Sequence, residues 1–101
     1  MEAEIYYEGG SARARFRVLS VDAVTEARSP ETSLSSVTIR FRNPDGTVLV
    51  TKTLADGVVN AGDGYYYATA VPTQEGRHVV ECDVGGAIPQ RSKVGFTVEP
   101  F

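Results

Sequence analysis

Apolar and polar residues alternate with a period of two along most of this chain. Residues 13–18 read Arg-Ala-Arg-Phe-Arg-Val, and residues 36–42 read Ser-Val-Thr-Ile-Arg-Phe-Arg. Because successive side chains of a β-strand point to opposite faces of its sheet, this alternation predicts strands with one buried and one solvated face. At least five segments follow the pattern, so we expect no helix longer than a single turn.

Turn-forming residues separate the alternating segments. The strongest signal is Asn43-Pro44-Asp45-Gly46, in which proline presets the turn and Asp-Gly supplies the left-handed backbone of a tight hairpin. Residues 22–33 have no apolar stripe and contain Pro30, so we expect a long polar loop there. The predicted strands lie near residues 3–8, 13–21, 35–42, 47–54, 64–71, 77–84 and 91–99, with a short eighth near 57–60. About seven short strands with regular turns predict an all-β fold, an immunoglobulin-like antiparallel β-sandwich.

The size of the chain limits it to a single hydrophobic core. Its 101 residues, 42% of them hydrophobic, suit one soluble domain spanning residues 1–101. Cys82 is the one cysteine, so no disulfide within the chain supports the fold. The residues in the apolar phase of their strands predict a core of Phe16, Val18, Ile39, Phe41, Tyr66, Val80, Phe96 and Val98.

The net charge and the distribution of apolar residues argue against nucleic acids and membranes as partners. The formal net charge is −3, and no motif of a DNA- or RNA-binding protein is present, so we expect no nucleic acid. No apolar run reaches the length of a membrane span, and the first residues do not resemble a signal peptide. We therefore expect no membrane partner and synthesis in the cytoplasm.

The residue types that perform chemistry do not form a reactive pattern. His78 and Cys82 share the inward face of one predicted strand, but a separation of four residues places them about 13 Å apart, too far for a dyad or a shared metal. We interpret both as packed core residues. Asp56, Asn60 and Asp63 cluster in turns, yet their spacing does not match a calcium-binding loop. We therefore predict no catalytic residue, no metal, no cofactor and no enzymatic activity.

The outward faces of two strands carry arginine and tyrosine. Arg13, Arg15 and Arg17 form a row on one strand, and Tyr65 and Tyr67 point outward on another if Tyr66 points inward. An immunoglobulin-type sandwich makes these two strands neighbours in one sheet. Two interpretations remain open. The groups can satisfy each other through cation–π pairs, or they can form an interface, since tyrosine and arginine anchor protein contacts. If this face is not the interface, the polar loops at 22–33 and 85–90 are the next candidates.

Several short motifs resemble a family of small structural proteins of tailed bacteriophages. They are Ile5-Tyr6-Tyr7-Glu8-Gly9-Gly10, Asn43-Pro44-Asp45-Gly46 followed by Thr47-Val48, Gly64-x-Tyr66-Tyr67-Ala68, Glu75-Gly76 and Gly95-Phe96-Thr97-Val98. Their order and spacing match along nearly the whole chain. The chain departs from that pattern in having no tryptophan, with His78 and Cys82 where bulky aromatics are expected, and in its long polar segment 22–33.

The resemblance implies a non-catalytic virion protein of the head or the head–tail junction. Its expected partners are other virion proteins, such as capsid, portal or tail components, in multiple copies. The expected location is the virion, after synthesis in the bacterial host cytoplasm. The alternative is an immunoglobulin-like module that binds carbohydrate or a cell surface, with Tyr65 and Tyr67 on a shallow sugar-binding platform.

Overall fold

Ten β-strands account for most of the described residues in the computed structural model. The structure describes residues 2–8, 10–21, 28–30, 36–85 and 90–98, and these residues contain no helix. The strands are β1 (Glu2–Glu8), β2 (Ser11–Arg17), β3 (Leu19–Val21), β4 (Arg28–Pro30), β5 (Ser36–Arg42), β6 (Val48–Thr53), β7 (Val59–Gly62), β8 (Tyr65–Ala70), β9 (Gly76–Gly85) and β10 (Gln90–Val98).

Eight of these strands form two four-stranded antiparallel sheets. The first sheet has the order β1-β2-β8-β7 and the second the order β10-β9-β5-β6. These orders correspond to strands A-B-E-D and G-F-C-C′ of an immunoglobulin-like sandwich. The predicted all-β sandwich is therefore confirmed, with eight strands in the main sheets where the sequence predicted about seven.

The buried faces of the two sheets share one core. Strands β5 and β9 each alternate between buried and partly exposed residues, as the period-two pattern of the sequence predicted. Among the predicted core residues, Val98 is only half-buried at the margin, and the other seven are buried. The core cluster consists of Ala12, Ala14, Phe16, Val18, Val37, Ile39, Phe41, Val58, Tyr66, Ala68, Ala70, Val80, Cys82, Val84 and Phe96.

The hairpin between β5 and β6 turns at the residues that its sequence predicts. The Gly46 amide donates to the Asn43 carbonyl at 2.9 Å, and the Asn43 amide donates to the Thr47 carbonyl at 2.8 Å. Gly46 has φ 89°, so the connection is a three-residue loop with the glycine in the left-handed conformation. Of the Asp45-Gly46 pair that was predicted to supply the left-handed backbone, only the glycine adopts it, since Asp45 keeps a negative φ.

Two predicted boundaries are wrong. The predicted strand 13–21 divides at Val18, whose amide donates to the Gly64 carbonyl at 2.8 Å, and the chain continues as β3. Segment 22–33 is not loop throughout, because Arg28–Pro30 forms β4 and pairs with Leu19–Val21 in a separate two-stranded sheet. Proline is compatible with such an edge strand. Residues 22–27, 31–33 and 86–89 lie outside the described part, so most of the two alternative docking loops does too.

Candidate functional site

The outward side chains of the first sheet form the candidate site. Arg15 lies opposite Tyr67 in the β2–β8 register, and Arg17 lies opposite Tyr65. Tyr66 points inward and is 1% exposed, so its two tyrosine neighbours point outward as predicted. The sequence-predicted candidates are thus brought together on one surface. We call this surface the arginine–tyrosine face and define it as Glu4, Tyr6, Arg13, Arg15, Arg17, Tyr65 and Tyr67.

Each arginine of the face is stacked against a tyrosine ring. The Arg13 guanidinium carbon lies 4.5 Å from the ring centre of Tyr67. Tyr65 has two such neighbours, since the guanidinium carbon of Arg15 lies at 4.7 Å and that of Arg17 at 5.1 Å from its ring centre. Such pairs contribute about 0.5–1 kcal/mol each at exposed positions. The structure therefore contains the cation–π pairs that formed the first of the two interpretations of the sequence. These pairs hold the guanidinium groups in defined positions.

Strand β1 contributes two members that the sequence analysis did not identify. Glu4 forms an ion pair with Arg15, and its carboxylate accepts a hydrogen bond from the Tyr6 hydroxyl at 2.7 Å. The Arg15 guanidinium also lies 5.6 Å from the Tyr6 ring centre. The hydrogen bond from Tyr6 and the neighbouring Arg15 lower the pKa of the Glu4 carboxyl. The same bond, made with Glu4, raises the pKa of the Tyr6 hydroxyl.

The three arginines of the face differ in how their charge is balanced. Arg15 is paired with Glu4, and Arg17 has the Asp63 carboxylate 3.4 Å away. Arg13 lies over the Tyr67 ring, and no acidic side chain among the described residues forms an ion pair with it. Arg13 is also an exposed residue. Its charge is thus available to a partner, whereas the charges of the other two arginines are partly compensated.

A broad depression lies over this face. Its volume is about 780 Å³, and no acidic residue is among the described side chains that line it. The lining consists of Tyr6, Ser11, Arg13, Arg15, Ala61, Tyr65, Tyr67 and Thr69. Hydroxyl and guanidinium groups thus dominate its polar surface, and the chemistry that it offers is hydrogen-bond donation and positive charge.

The outer face of the second sheet has a different character. Arg42 pairs with Glu81 across neighbouring strands, and Arg91 pairs with Asp83 at 2.5 Å. The bond from Arg42 lowers the pKa of the Glu81 carboxyl. This face therefore resembles an ordinary solvated surface on which opposite charges alternate, while aromatic rings are concentrated on the first sheet.

His78 and Cys82 occupy the core, as the sequence predicted. The His78 ring stacks on Phe96 with 4.9 Å between ring centres, and its Nδ1 lies 3.1 Å from the Gly76 carbonyl oxygen, to which it donates. Its Nε2 is buried without a partner among the described residues. Burial raises the pKa of the Cys82 thiol to about 12, so the thiol stays protonated.

Of the three residues considered for calcium, Asn60 and Asp63 have partners within the protein. The Asn60 side-chain oxygen accepts a hydrogen bond from the Gly62 amide at 3.0 Å, and Asp63 faces Arg17. Within the described ranges, no group of three or more histidine, cysteine, aspartate or glutamate side chains is placed to hold a metal ion. The same ranges include no helix that is long and apolar enough to cross a membrane.

Comparison of the chain with protein-family models, with curated proteins and with solved structures finds no match. The geometry of the arginine–tyrosine face and the motifs of the sequence are therefore the features that indicate a function.

Proposed function

We propose that this chain is a non-catalytic assembly protein that docks onto other proteins through its arginine–tyrosine face, and that it does so in the virion of a tailed bacteriophage. The observation that carries the docking proposal is the set of stacked arginines and tyrosines around a depression of about 780 Å³. Arginine and tyrosine are enriched at the centres of protein interfaces, where they bury large surfaces at a low cost in side-chain entropy.

The fixed positions of the guanidinium groups support a docking role. Arg15 is held by the Glu4 ion pair and by the rings on either side of it, Tyr6 and Tyr65. A side chain that is already ordered loses less conformational entropy when a partner covers it, so more of its contact energy contributes to affinity. A preordered arginine row is therefore better suited to a fixed assembly contact than free surface arginines are.

The bacteriophage part of the proposal comes from the sequence motifs. Their residues fall at positions that define the fold, such as the Asn43–Gly46 turn and the core side chains Tyr66 and Phe96. The motifs thus support a shared architecture with the small virion proteins that the chain resembles. From this resemblance we propose a position at the head or the head–tail junction, with capsid, portal or tail components as partners.

A carbohydrate-binding module is the second candidate, favoured by the three tyrosines that line the depression. Sugar rings bind proteins by stacking on open aromatic faces. Here guanidinium groups lie over Tyr65 and Tyr67, which leaves less of the ring faces for a sugar. A glycan array with the wild-type protein and with Tyr65→Ala and Tyr67→Ala decides between the two. Binding that both substitutions abolish would favour the carbohydrate module.

The virion proposal is tested by purifying particles made in cells that carry the genome encoding this chain. We expect the chain to sediment with full particles at a constant copy number after washing in high salt. A chain recovered only in the soluble fraction, with none in the particles, would contradict the virion role.

A further inference from the structure

We propose that the partner contributes a carboxylate to the Arg13 end of the arginine–tyrosine face, so that the docking segment of the partner protein is acidic. This inference rests on the docking role proposed above and adds the chemistry of the partner. It starts from an asymmetry within one row: Arg15 and Arg17 each have an acidic neighbour, and Arg13 has none among the described residues.

Arg13 is presented in a way that suits an incoming carboxylate. Its guanidinium lies over the Tyr67 ring at 4.5 Å, which orients the planar group. A guanidinium binds a carboxylate through two parallel N–H···O bonds, and such charge-assisted pairs are about twice as strong as neutral hydrogen bonds. A guanidinium that lies over an aromatic ring still has N–H groups with which it can make this bidentate contact.

Hydroxyl groups lie on both sides of Arg13. Thr69 is its partner in the β2–β8 register, and Tyr6 is its partner in the β1–β2 register. Ser11 lies two residues earlier on the same face of β2 and also lines the depression. The hydroxyls of Ser11 and Thr69 can donate to carboxylate oxygens that the guanidinium leaves unbonded, whereas the Tyr6 hydroxyl already donates to Glu4. The lining contains no described acidic residue that would repel the incoming group.

The same geometry disfavours a nucleic acid as the partner. Bases bind single-strand platforms by stacking on open aromatic rings, but Tyr65 has guanidinium groups of Arg15 and Arg17 over it. The observations therefore favour an acidic protein segment.

The test is an NMR titration of the isolated, isotopically labelled protein at low salt. The probes are hexaglutamate, hexaglutamine as the uncharged control, and hexathymidylate as the nucleic-acid control. We expect hexaglutamate to shift resonances of Arg13, Tyr67, Ser11 and Thr69, and added salt to weaken the binding. Arg13→Gln should weaken it about tenfold, as loss of a charge-assisted pair predicts, and Arg13→Lys should weaken it less.

The matched control is Arg40→Gln, which removes one positive charge from the outer face of the second sheet. It should leave hexaglutamate binding unchanged. The inference is overturned if Arg13→Gln binds hexaglutamate as the wild type does, if hexaglutamine binds equally well, or if hexathymidylate binds the same residues more tightly. No particle is needed, so failure here leaves the virion role standing. Binding to hexaglutamate without incorporation into particles would refute the virion role alone.

Discussion

Tyr65 shows how single side chains determine the chemistry of the candidate site. The guanidinium carbons of Arg15 and Arg17 lie 4.7 and 5.1 Å from its ring centre, and Arg15 also forms an ion pair with Glu4. The contacts are individually weak because all of these groups remain partly exposed to water. Their shared effect is to restrict the arginines to defined positions, which is what a docking surface requires.

The reactivity of the Cys82 thiol tests whether this side chain is buried in the core. The thiolate is the reactive form, and burial raises the pKa of this thiol to about 12. We therefore expect no measurable alkylation by iodoacetamide at pH 8 in the folded protein and complete alkylation in urea. Mass spectrometry of the intact chain measures both. Rapid labelling of the folded protein would show that Cys82 is accessible and that the packing around it is wrong.

Ile39 and Phe41 test which face of β5 is buried. Both side chains are fully buried, so truncation to alanine should lower the free energy of unfolding by about 2–5 kcal/mol through lost contacts and a residual cavity. Thr38→Ala, on the opposite face of the same strand, is the control and should change it by less than about 0.5 kcal/mol. Urea denaturation gives all three values. The assignment of faces fails if the control costs as much as the truncations.

At the scale of elements, two glycines report on how the strands are connected. Gly46 in the β5–β6 hairpin has φ 89°, and a Cβ added there would meet no atom within 4 Å. Gly57, between β6 and β7, has φ 103°, and its added Cβ would lie 2.5 Å from Lys52 Cδ. Gly46→Ala therefore introduces backbone strain alone, and Gly57→Ala adds the displacement of a flexible lysine side chain.

We expect Gly46→Ala to lower the free energy of unfolding by about 1 kcal/mol and Gly57→Ala to lower it by more. Thermal unfolding of the two variants and of the wild type measures which substitution lowers stability more. An alanine at position 46 that leaves the melting temperature unchanged would contradict the left-handed turn at this hairpin.

Some strands could be predicted from the sequence pattern, and others could not. Alternation identified β2, β5, β8 and β9 because each strand has one face in a shared core. It did not identify β4, since Arg28-Ser29-Pro30 has no alternation and its strand character comes from pairing with β3. The break at Val18 was missed for a related reason. Its side chain continues the buried phase of β2, and only its amide changes partner.

At the scale of the whole molecule, the ion pairs should make stability depend on pH. The pKa of the Glu81 carboxyl is lowered from its ordinary value of 4.5, chiefly by the bond from Arg42. A carboxyl whose pKa is depressed by folding stabilises the protein above its unfolded pKa. That contribution is lost as the pH falls through the folded pKa. Glu4 and Asp45 have shifts of the same sign, Asp45 through its bonds with Thr47.

We therefore expect the free energy of unfolding to be nearly constant from pH 7 to about pH 5 and to fall below that range. Glu81→Gln should be less stable than the wild type at pH 7 and should lose less on acidification, because the titrating group is gone. Asp56→Asn, an exposed acid outside the ion pairs among the described residues, is the control. An identical loss in Glu81→Gln and the wild type would contradict the Arg42–Glu81 contribution.

Most of the candidate site could be predicted from the sequence because alternation and topology were sufficient for it. Alternation placed Arg13, Arg15 and Arg17 outward, and the immunoglobulin-like strand order made β8 the neighbour of β2. Glu4 and Tyr6 were missed although they share one phase of β1. Their roles depend on the β1–β2 register, which places Glu4 opposite Arg15 and Tyr6 opposite Arg13. Register is a tertiary property that residue types in a short strand do not determine.

The claim that the arginine–tyrosine face docks the protein is tested most directly by the occupancy of variant chains in purified particles. The test variant is Tyr65→Ser with Arg15→Ser. The control is Arg40→Ser with Val79→Ser, which removes one cation and one apolar side chain from the second sheet. Circular dichroism first establishes that both are folded. We predict that the test variant is lost from particles while the control is retained at wild-type copy number. A folded test variant that joins particles at full occupancy would contradict the claim.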